Sequence, residues 1–262
     1  MQEDMGSSAL KMDLWIRALT AFAFREYAVF GLPPIGNREQ TLLVSIAVLF
    51  VKGRWRYRFE TGFGNFRETP SKVKQVRVMR RVGLFRIGDC AGLDATALEI
   101  PYQDPSKSMV VFLPRMERLA TFEHSLTQAT LLRCVANLSE KVVEVTMPVL
   151  RLKKHTELMP TVSLLGCQDV FKNRGNLGAS SHNKTLFVSR LTHVLVFQAK
   201  AKGGALPLGS TPTGSQTSES KEPLQFTVDR PFLFLVMNRN PDAILVMGSV
   251  KRVSSKKTKK IP

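Results

Sequence analysis

GGALPLGSTPTGSQTSESKEPLQF, residues 203–226, is the stretch on which the reading of this 262-residue chain turns. It is rich in Gly, Ser, Thr and Pro and holds no aromatic residue before Phe226. A strand-like run leads into it, from Thr185-Leu-Phe-Val188 through Val196-Phe197, and Pro231-Phe-Leu-Phe-Leu-Val236 follows it as another. A loop this long inside a compact domain is either functional or disordered.

Outward from the loop, the remaining elements follow from period and punctuation. On the C-terminal side, two closing strands are expected over 231–237 and 243–250. Beyond them, residues 254–262 form a lysine-rich tail expected to fray. On the N-terminal side, Asn173 to Asn183 is a loop, and Leu158 to Leu165 is a helix stopped by Gly166. Lys141 to Leu152 reads as one strand with Met147-Pro148 in its middle. Residues 116–138 change period: Leu119, Phe122, Leu126, Leu131, Leu132 and Val135 fit two short amphipathic helices.

From Trp55 to Leu113 the pattern is strands and turns. Val73 to Val78 alternates, Gly83–Gly88 and Ala95–Ile100 are short strands, and Ser108 to Leu113 is a buried strand closed by Pro114. Leu42 to Val51 is continuous and β-branched, which predicts a strand buried on both faces. Residues 1–40 divide into a helix-like half and the breaking loop Gly31-Leu-Pro-Pro-Ile-Gly-Asn37. The sum is α+β, with many strands and few helices.

Composition sets limits on function. The chain can bury a substantial core, and no apolar run reaches membrane-spanning length. Its net charge of +17 favours encounters with anionic polymers or surfaces, but a basic solvated surface with a basic tail explains the same number. Cys90, Cys134 and Cys167 share no metal-ligand spacing. Their odd number predicts no disulfide framework, so they read as small buried residues. The four histidines, His124, His155, His182 and His193, are scattered. With no HExxH, GxSxG, Walker loop or GxGxxG after a strand, an enzyme reading has no catalytic constellation, and neither cofactor nor metal is expected. Met1-Gln-Glu-Asp4 is acidic, and Arg17 interrupts Leu14–Phe24, unlike a secretory signal. The expectation is a cytoplasmic protein or a chain whose real beginning is absent.

Several short motifs in register resemble the serpin family. Asp229-Arg-Pro-Phe-Leu-Phe234, the turn at Asn238–Asp242 and Ala243-Ile-Leu-Val-Met-Gly248 are similar to the family's closing hairpin. Leu186-Phe-Val-Ser189 with Thr192-His193 resembles the strand leading to its reactive loop. Lys52-Gly-Arg-Trp55 resembles the end of the third strand of its large sheet. Leu98-Glu-Ile-Pro-Tyr102, Ser108–Pro114, Met147-Pro148 and Leu165-Gly166 with Asp169 and Phe171 keep the family's order. The resemblance covers residues 41–253, about the last two-thirds of the family domain, and leaves 1–40 unmatched. The N-terminal helices and the strands flanking the third strand have no counterpart, so a shortened product or a gene model with a wrong start is expected.

The resemblance implies a serine-type endopeptidase inhibitor of extracellular location, although the absent signal leaves cytoplasmic retention open. Inhibitory relatives offer the loop as bait. The protease forms an acyl-enzyme, and the cut loop inserts as a central strand of the large sheet, distorting the protease. Counted from Gly203 as the hinge, the reactive bond falls at Thr217–Ser218, or at Ser220–Lys221 for shorter-armed relatives, so the target class is open. The hinge departs from the inhibitory pattern at Gly204, Ala205, Leu206, Pro207 and Leu208. Pro207 lacks an amide hydrogen, and Leu206 and Leu208 each threaten an overpacking cost of about 1–3 kcal/mol on insertion. A non-inhibitory or inactive relative is therefore the alternative.

Other positions carry two readings each. His193 matches a histidine that relatives hydrogen-bond to an asparagine on the neighbouring strand, where this chain has Ala47. It is equally a core histidine. Trp55 matches the tryptophan where insertion begins, or is simply a large packing residue. Lys72, Lys74, Arg77, Arg80 and Arg81 form a candidate face for an anionic polysaccharide, although strand alternation separates Lys72 and Lys74 from Arg77 and favours a solvated face. A basic glycan-binding protein is thus a further alternative, while specific nucleic-acid binding is not expected. Asn137-Leu-Ser139 and Asn183-Lys-Thr185 are glycosylation sequons, meaningful only in a secreted chain.

Overall fold

In chain order the strands begin with Leu43–Lys52 (β1), Glu60–Thr69 (β2), Lys72–Cys90 (β3), Ala95–Pro101 (β4) and Lys107–Pro114 (β5). Helices Leu119–Ser125 (α1) and Gln128–Ala136 (α2) follow, then strands Ser139–Pro148 (β6) and Leu150–Glu157 (β7), then helix Met159–Leu164 (α3) and a 3-10 turn at Asp169–Phe171. Val188–Ala199 (β8), Leu224–Thr227 (β9), Phe232–Arg239 (β10) and Asp242–Val250 (β11) complete the order. This computed structural model describes residues 43–115, 119–172, 187–204 and 222–254. The chain divides into two compact units, residues 1–51 with 152–197 and residues 52–151 with 198–262.

The strands form two sheets. One has three strands in the order β1-β8-β7. The other has eight, in the order β11-β10-β5-β4-β3-β6-β9, with β2 beside β3. The β6–β9 pair is parallel, while the other pairs of the larger sheet are antiparallel. The fold is α+β, as the sequence predicts.

The core of the larger sheet forms where α1 and α2 bury Leu119, Phe122, Leu131, Cys134 and Val135 against Ala95, Ala97, Val110, Phe112, Leu233 and Leu235. Thr127 caps α2. Its hydroxyl accepts from the Thr130 amide at 3.1 Å, and the Thr130 hydroxyl accepts from the Thr127 amide at 3.0 Å, a reciprocal cap built from two threonines. Gly166, at φ +97°, turns the chain after α3, a conformation an L side chain rarely adopts.

Four expectations are corrected. First, Cys90 and Cys134 are joined in a disulfide, with Cα atoms 4.9 Å apart across a sequence separation of 44, and Cys167 is exposed rather than buried. The sequence predicts no pair because the two meet only when the end of β3 packs against the buried face of α2. Second, β1 contains no fully buried residue among those whose burial is described. It ends its sheet's order with β8 as its one strand neighbour among the described residues. A continuous apolar run records what can be covered, not what covers it.

Third, the two short strands expected over 73–78 and 83–88 are one 19-residue strand. Gly83 lies opposite Val143 and Gly88 opposite Ala97, so the ladder carries the chain through glycines that would end an isolated strand. Fourth, the strand expected over Lys141–Leu152 is two. β6 ends at Pro148, which has no amide hydrogen for a ladder, and β7 begins at Leu150 in the other sheet.

Candidate functional site

The loop quoted first is held at both ends by strands, and the structure describes those anchors. On the upstream side, the chain leaves β8 and runs beside the segment 55–59. The Trp55 amide donates to the Lys202 carbonyl at 3.2 Å, the Phe59 amide to the Ala201 carbonyl at 3.1 Å, and the Gly204 amide to the Trp55 carbonyl at 3.0 Å. The indole Nε1 of Trp55 donates to the Lys200 carbonyl at 2.7 Å. On the downstream side, β9 pairs in parallel with β6, Val143 opposite Leu224 and Val145 opposite Phe226, and Phe226 is buried. Three residues counted with the loop, Leu224, Gln225 and Phe226, are therefore strand. Ala205, Leu206, Pro207, Leu208, Thr217, Ser218, Ser220 and Lys221 lie outside the described residues.

Trp55 is a large packing residue, the second of the two readings its sequence position allows. It is fully buried, stacks on Tyr102 at 4.7 Å between centroids and 5° between planes, and sits 5.9 Å from Phe59, tilted by 60°. It is also the latch that holds the start of the loop. Burial pushes the Tyr102 phenol well above its ordinary range, so it stays neutral. Gly203 is paired with Trp55 through a single parallel bridge, and its fit is close. A Cβ there would lie 2.4 Å from the backbone carbonyl of Tyr57 and 2.5 Å from the amide nitrogen of Arg58, so the backbone itself excludes a side chain. Among the hinge residues, Gly203 and Gly204 are described, and both are half-buried.

His193 is half-buried on β8, and Ala47 is exposed on β1, the adjacent strand. The alanine side chain has no group with which a histidine can hydrogen-bond. The polar interactions of this sheet lie elsewhere: Glu157 accepts from Arg190 at 2.8 Å and from the Thr192 hydroxyl at 3.0 Å, with His155 Nε2 at 3.4 Å. The Arg190 hydrogen bond is the main cause holding the Glu157 carboxyl below its ordinary value. Sequence reading missed this cluster, which no local spacing signals.

The basic residues of β3 do not act as one free face. Lys72 and Lys74 both reach the carboxylate of Glu68, at 3.2 and 2.7 Å, and the Lys74 bond holds that carboxyl below its ordinary value. Arg80 lies 3.3 Å from Glu144 and 3.2 Å from the Thr146 hydroxyl. Arg81 donates to the Arg58 carbonyl at 2.8 Å and lies 4.9 Å over the Tyr57 ring. Arg77 is exposed, opposite Phe63. Asn137 is exposed at the end of α2, and Asn183 lies outside the described residues. No group of His, Cys, Asp and Glu among the described residues is arranged to hold a metal, and no described helix is long and apolar enough to cross a membrane.

Comparison with known proteins follows the same arrangement. The family profile described as "Serpin (serine protease inhibitor)" matches residues 32–253. Among curated relatives, Iris of Ixodes ricinus is 29% identical over 250 residues, covering 93% of this chain and 65% of that protein. Serpin A12 of Homo sapiens is 28% identical over 214 residues, covering 80% of this chain and 50% of that protein. The crystal structure of uncleaved ovalbumin superposes with a TM-score of 0.82 at 24% identity, covering 96% of this chain and 64% of that one. The chain thus spans just under two-thirds of the length of Iris and of the ovalbumin chain. The profile match extends from before β1 to beyond β11, and with the fold it carries, the chain belongs to the serpin family.

Proposed function

We propose that this chain is a serine-type endopeptidase inhibitor that presents residues 203–226 as a bait, with Thr217–Ser218 as the reactive bond. The observation that carries the reading is the pair of anchors: a hydrogen-bonded latch at Trp55 upstream and the β9–β6 pair downstream, joined by a loop with no aromatic residue before Phe226. The family's description as serine protease inhibitors supports it. An extracellular location fits the Cys90–Cys134 disulfide, because such bonds persist in oxidising compartments.

For trapping, the cut arm must fold back as a strand beside β8, from which it issues. β8 has β1 on one side and β7 on the other, so insertion as a central strand requires β8 to part from a neighbour. The arm itself carries Gly204, Leu206, Pro207 and Leu208, a poor strand. These residues favour a second reading, in which the loop is cut without trapping. Incubation with a panel of serine proteases and a denaturing gel separates the two. A covalent protease–protein band of combined mass is the expected result for inhibition. Clean cleavage between residues 205 and 221 with full protease activity overturns it in favour of the second reading.

A further inference from the structure

Where α2 passes into β6, the chain is fixed at its apolar positions and open at its polar ones. Cys134 is tied to Cys90, Val135 and Leu138 are buried, and Nη2 of Arg86 donates to the Val135 and Leu138 carbonyls at 3.2 Å each. Asn137 and Ser139 stand on either side of Leu138, and both are exposed. Asn137 closes α2, its backbone amide donating to the Arg133 carbonyl at 3.2 Å.

Nothing in the fold calls for these two residue types. Asparagine is used at helix ends because it tolerates the left-handed conformation, but Asn137 has φ −85° and ψ 3°. Its side-chain amide forms no hydrogen bond among the described residues. The Ser139 hydroxyl donates to the Ile87 carbonyl only at the long distance of 3.5 Å, opposite it in the β3–β6 ladder. A free amide and a hydroxyl two residues on, with leucine rather than proline between them, form the acceptor pattern for N-linked glycosylation.

We infer that Asn137 carries an N-linked glycan. Its Nδ2 bonds to the anomeric carbon of an oligosaccharide carried on a lipid diphosphate. The bond from that carbon to the diphosphate oxygen breaks, the amide gives up one proton, and the lipid diphosphate leaves. The folded chain accommodates the sugar because the neighbouring Val135 and Leu138 fill the core while Asn137 stays outside it. The disulfide at nearby Cys134 belongs to the same oxidising, secretory compartment as the transfer. The inference rests on the extracellular location proposed above, and not on whether the loop traps a protease.

The test recovers the natural protein with an antibody to the chain, from culture medium and from cell extract. Its peptides are mapped by mass spectrometry before and after a peptide amidase that removes N-linked sugar and converts the asparagine to aspartate. The expected result is secreted protein whose peptide spanning Asn137 appears only after the amidase, with aspartate at that position. Secreted protein with Asn137 bare overturns the inference and leaves the extracellular location standing. Protein confined to the cytosol, with Cys90 and Cys134 reduced, overturns the location and the inference with it. Variants of the full chain, secreted from cultured cells behind a cleavable leader, test the pattern itself. N137Q and S139A should lose the sugar on this peptide and S139T should keep it, with thermal melts establishing that all three fold. Sugar retained on the same peptide in S139A overturns the assignment to Asn137-Leu-Ser139.

Discussion

β1 reads LVSIAVLFVK and β10 reads FLFLVMNR, and as sequences they differ little in apolar character. Their environments differ greatly. Phe232 through Met237 are all buried, with β11 and β5 on either side and Leu233, Leu235 and Met237 in the cluster under α1 and α2. In β1 no residue of described burial is fully buried, and in the same unit α3 buries none, leaving Leu164 88% and Leu165 78% exposed. Apolar side chains contribute to stability through the area removed from water, so equal hydrophobicity yields unequal stability. The eight-stranded sheet is therefore expected to be the more stable of the two. The three-stranded sheet contains the strand leading to the loop, and among the described residues β1 has β8 as its one strand neighbour.

That contrast can be broken most directly by mutation. Phe112→Ala, in the cluster of the larger sheet and 6.2 Å from the Phe122 ring, is expected to lower stability by about 3–5 kcal/mol. Leu164→Ala, on the exposed face of α3, is expected to change it by less than about 0.5 kcal/mol. Urea unfolding of the two variants decides, and similar losses would end the distinction between the halves.

The disulfide sharpens the same comparison. It ties the end of β3 to α2 inside that cluster, and Cys90→Ser with Cys134→Ser is expected to cost about 2–5 kcal/mol. Melting with and without reductant measures it: the parent should lose stability on reduction and the double variant should not. A parent insensitive to reductant would refute a stabilising role.

The smallest effects are electrostatic and depend on pH. Burial pushes the Glu99 carboxyl up, but the Arg239 hydrogen bond and the charges of Arg239 and Arg86, which lies 2.6 Å away, outweigh it and hold the carboxyl below its ordinary value. A carboxyl lowered in the folded state stabilises above its unfolded pKa of about 4.3, and that stabilisation disappears as pH falls through the folded value. Glu157 is lowered too, chiefly by Arg190, but it is 40% exposed and solvent screens the pair. Between about pH 5 and 3, Glu99→Gln should therefore flatten the acid loss of stability more than Glu157→Gln. Equal flattening would show that burial of the Glu99 pair counts for little.

Much of this arrangement is legible in local sequence. Alternation in Val73–Val78, the closing hairpin after Pro231 and the two short helices of 116–138 appear where their periods predict, since each rests on contacts between near neighbours. The loop's flanks are legible for the same reason, except that Leu224–Thr227 becomes strand only because β6 lies alongside. Which basic residues of β3 are paired is not legible in the sequence, because composition counts charges without showing their partners. Lys72 and Lys74 are held by Glu68, whereas Lys52, Arg54, Arg56 and Arg58 are not held by any acid described.

By itself, then, the sequence determines the order of elements, the α+β class, family membership and the loop's position between β8 and β9, because period, punctuation and motif order are local properties of the chain. Tertiary structure alone decides that Cys90 meets Cys134, that Gly203 is pressed against the backbone of Tyr57, that Trp55 latches the start of the loop, and that β1 lacks the burial its composition suits. Each of these depends on which distant residues fill the space around a side chain, and contacts between residues 44 or 145 positions apart are set by packing, not by spacing.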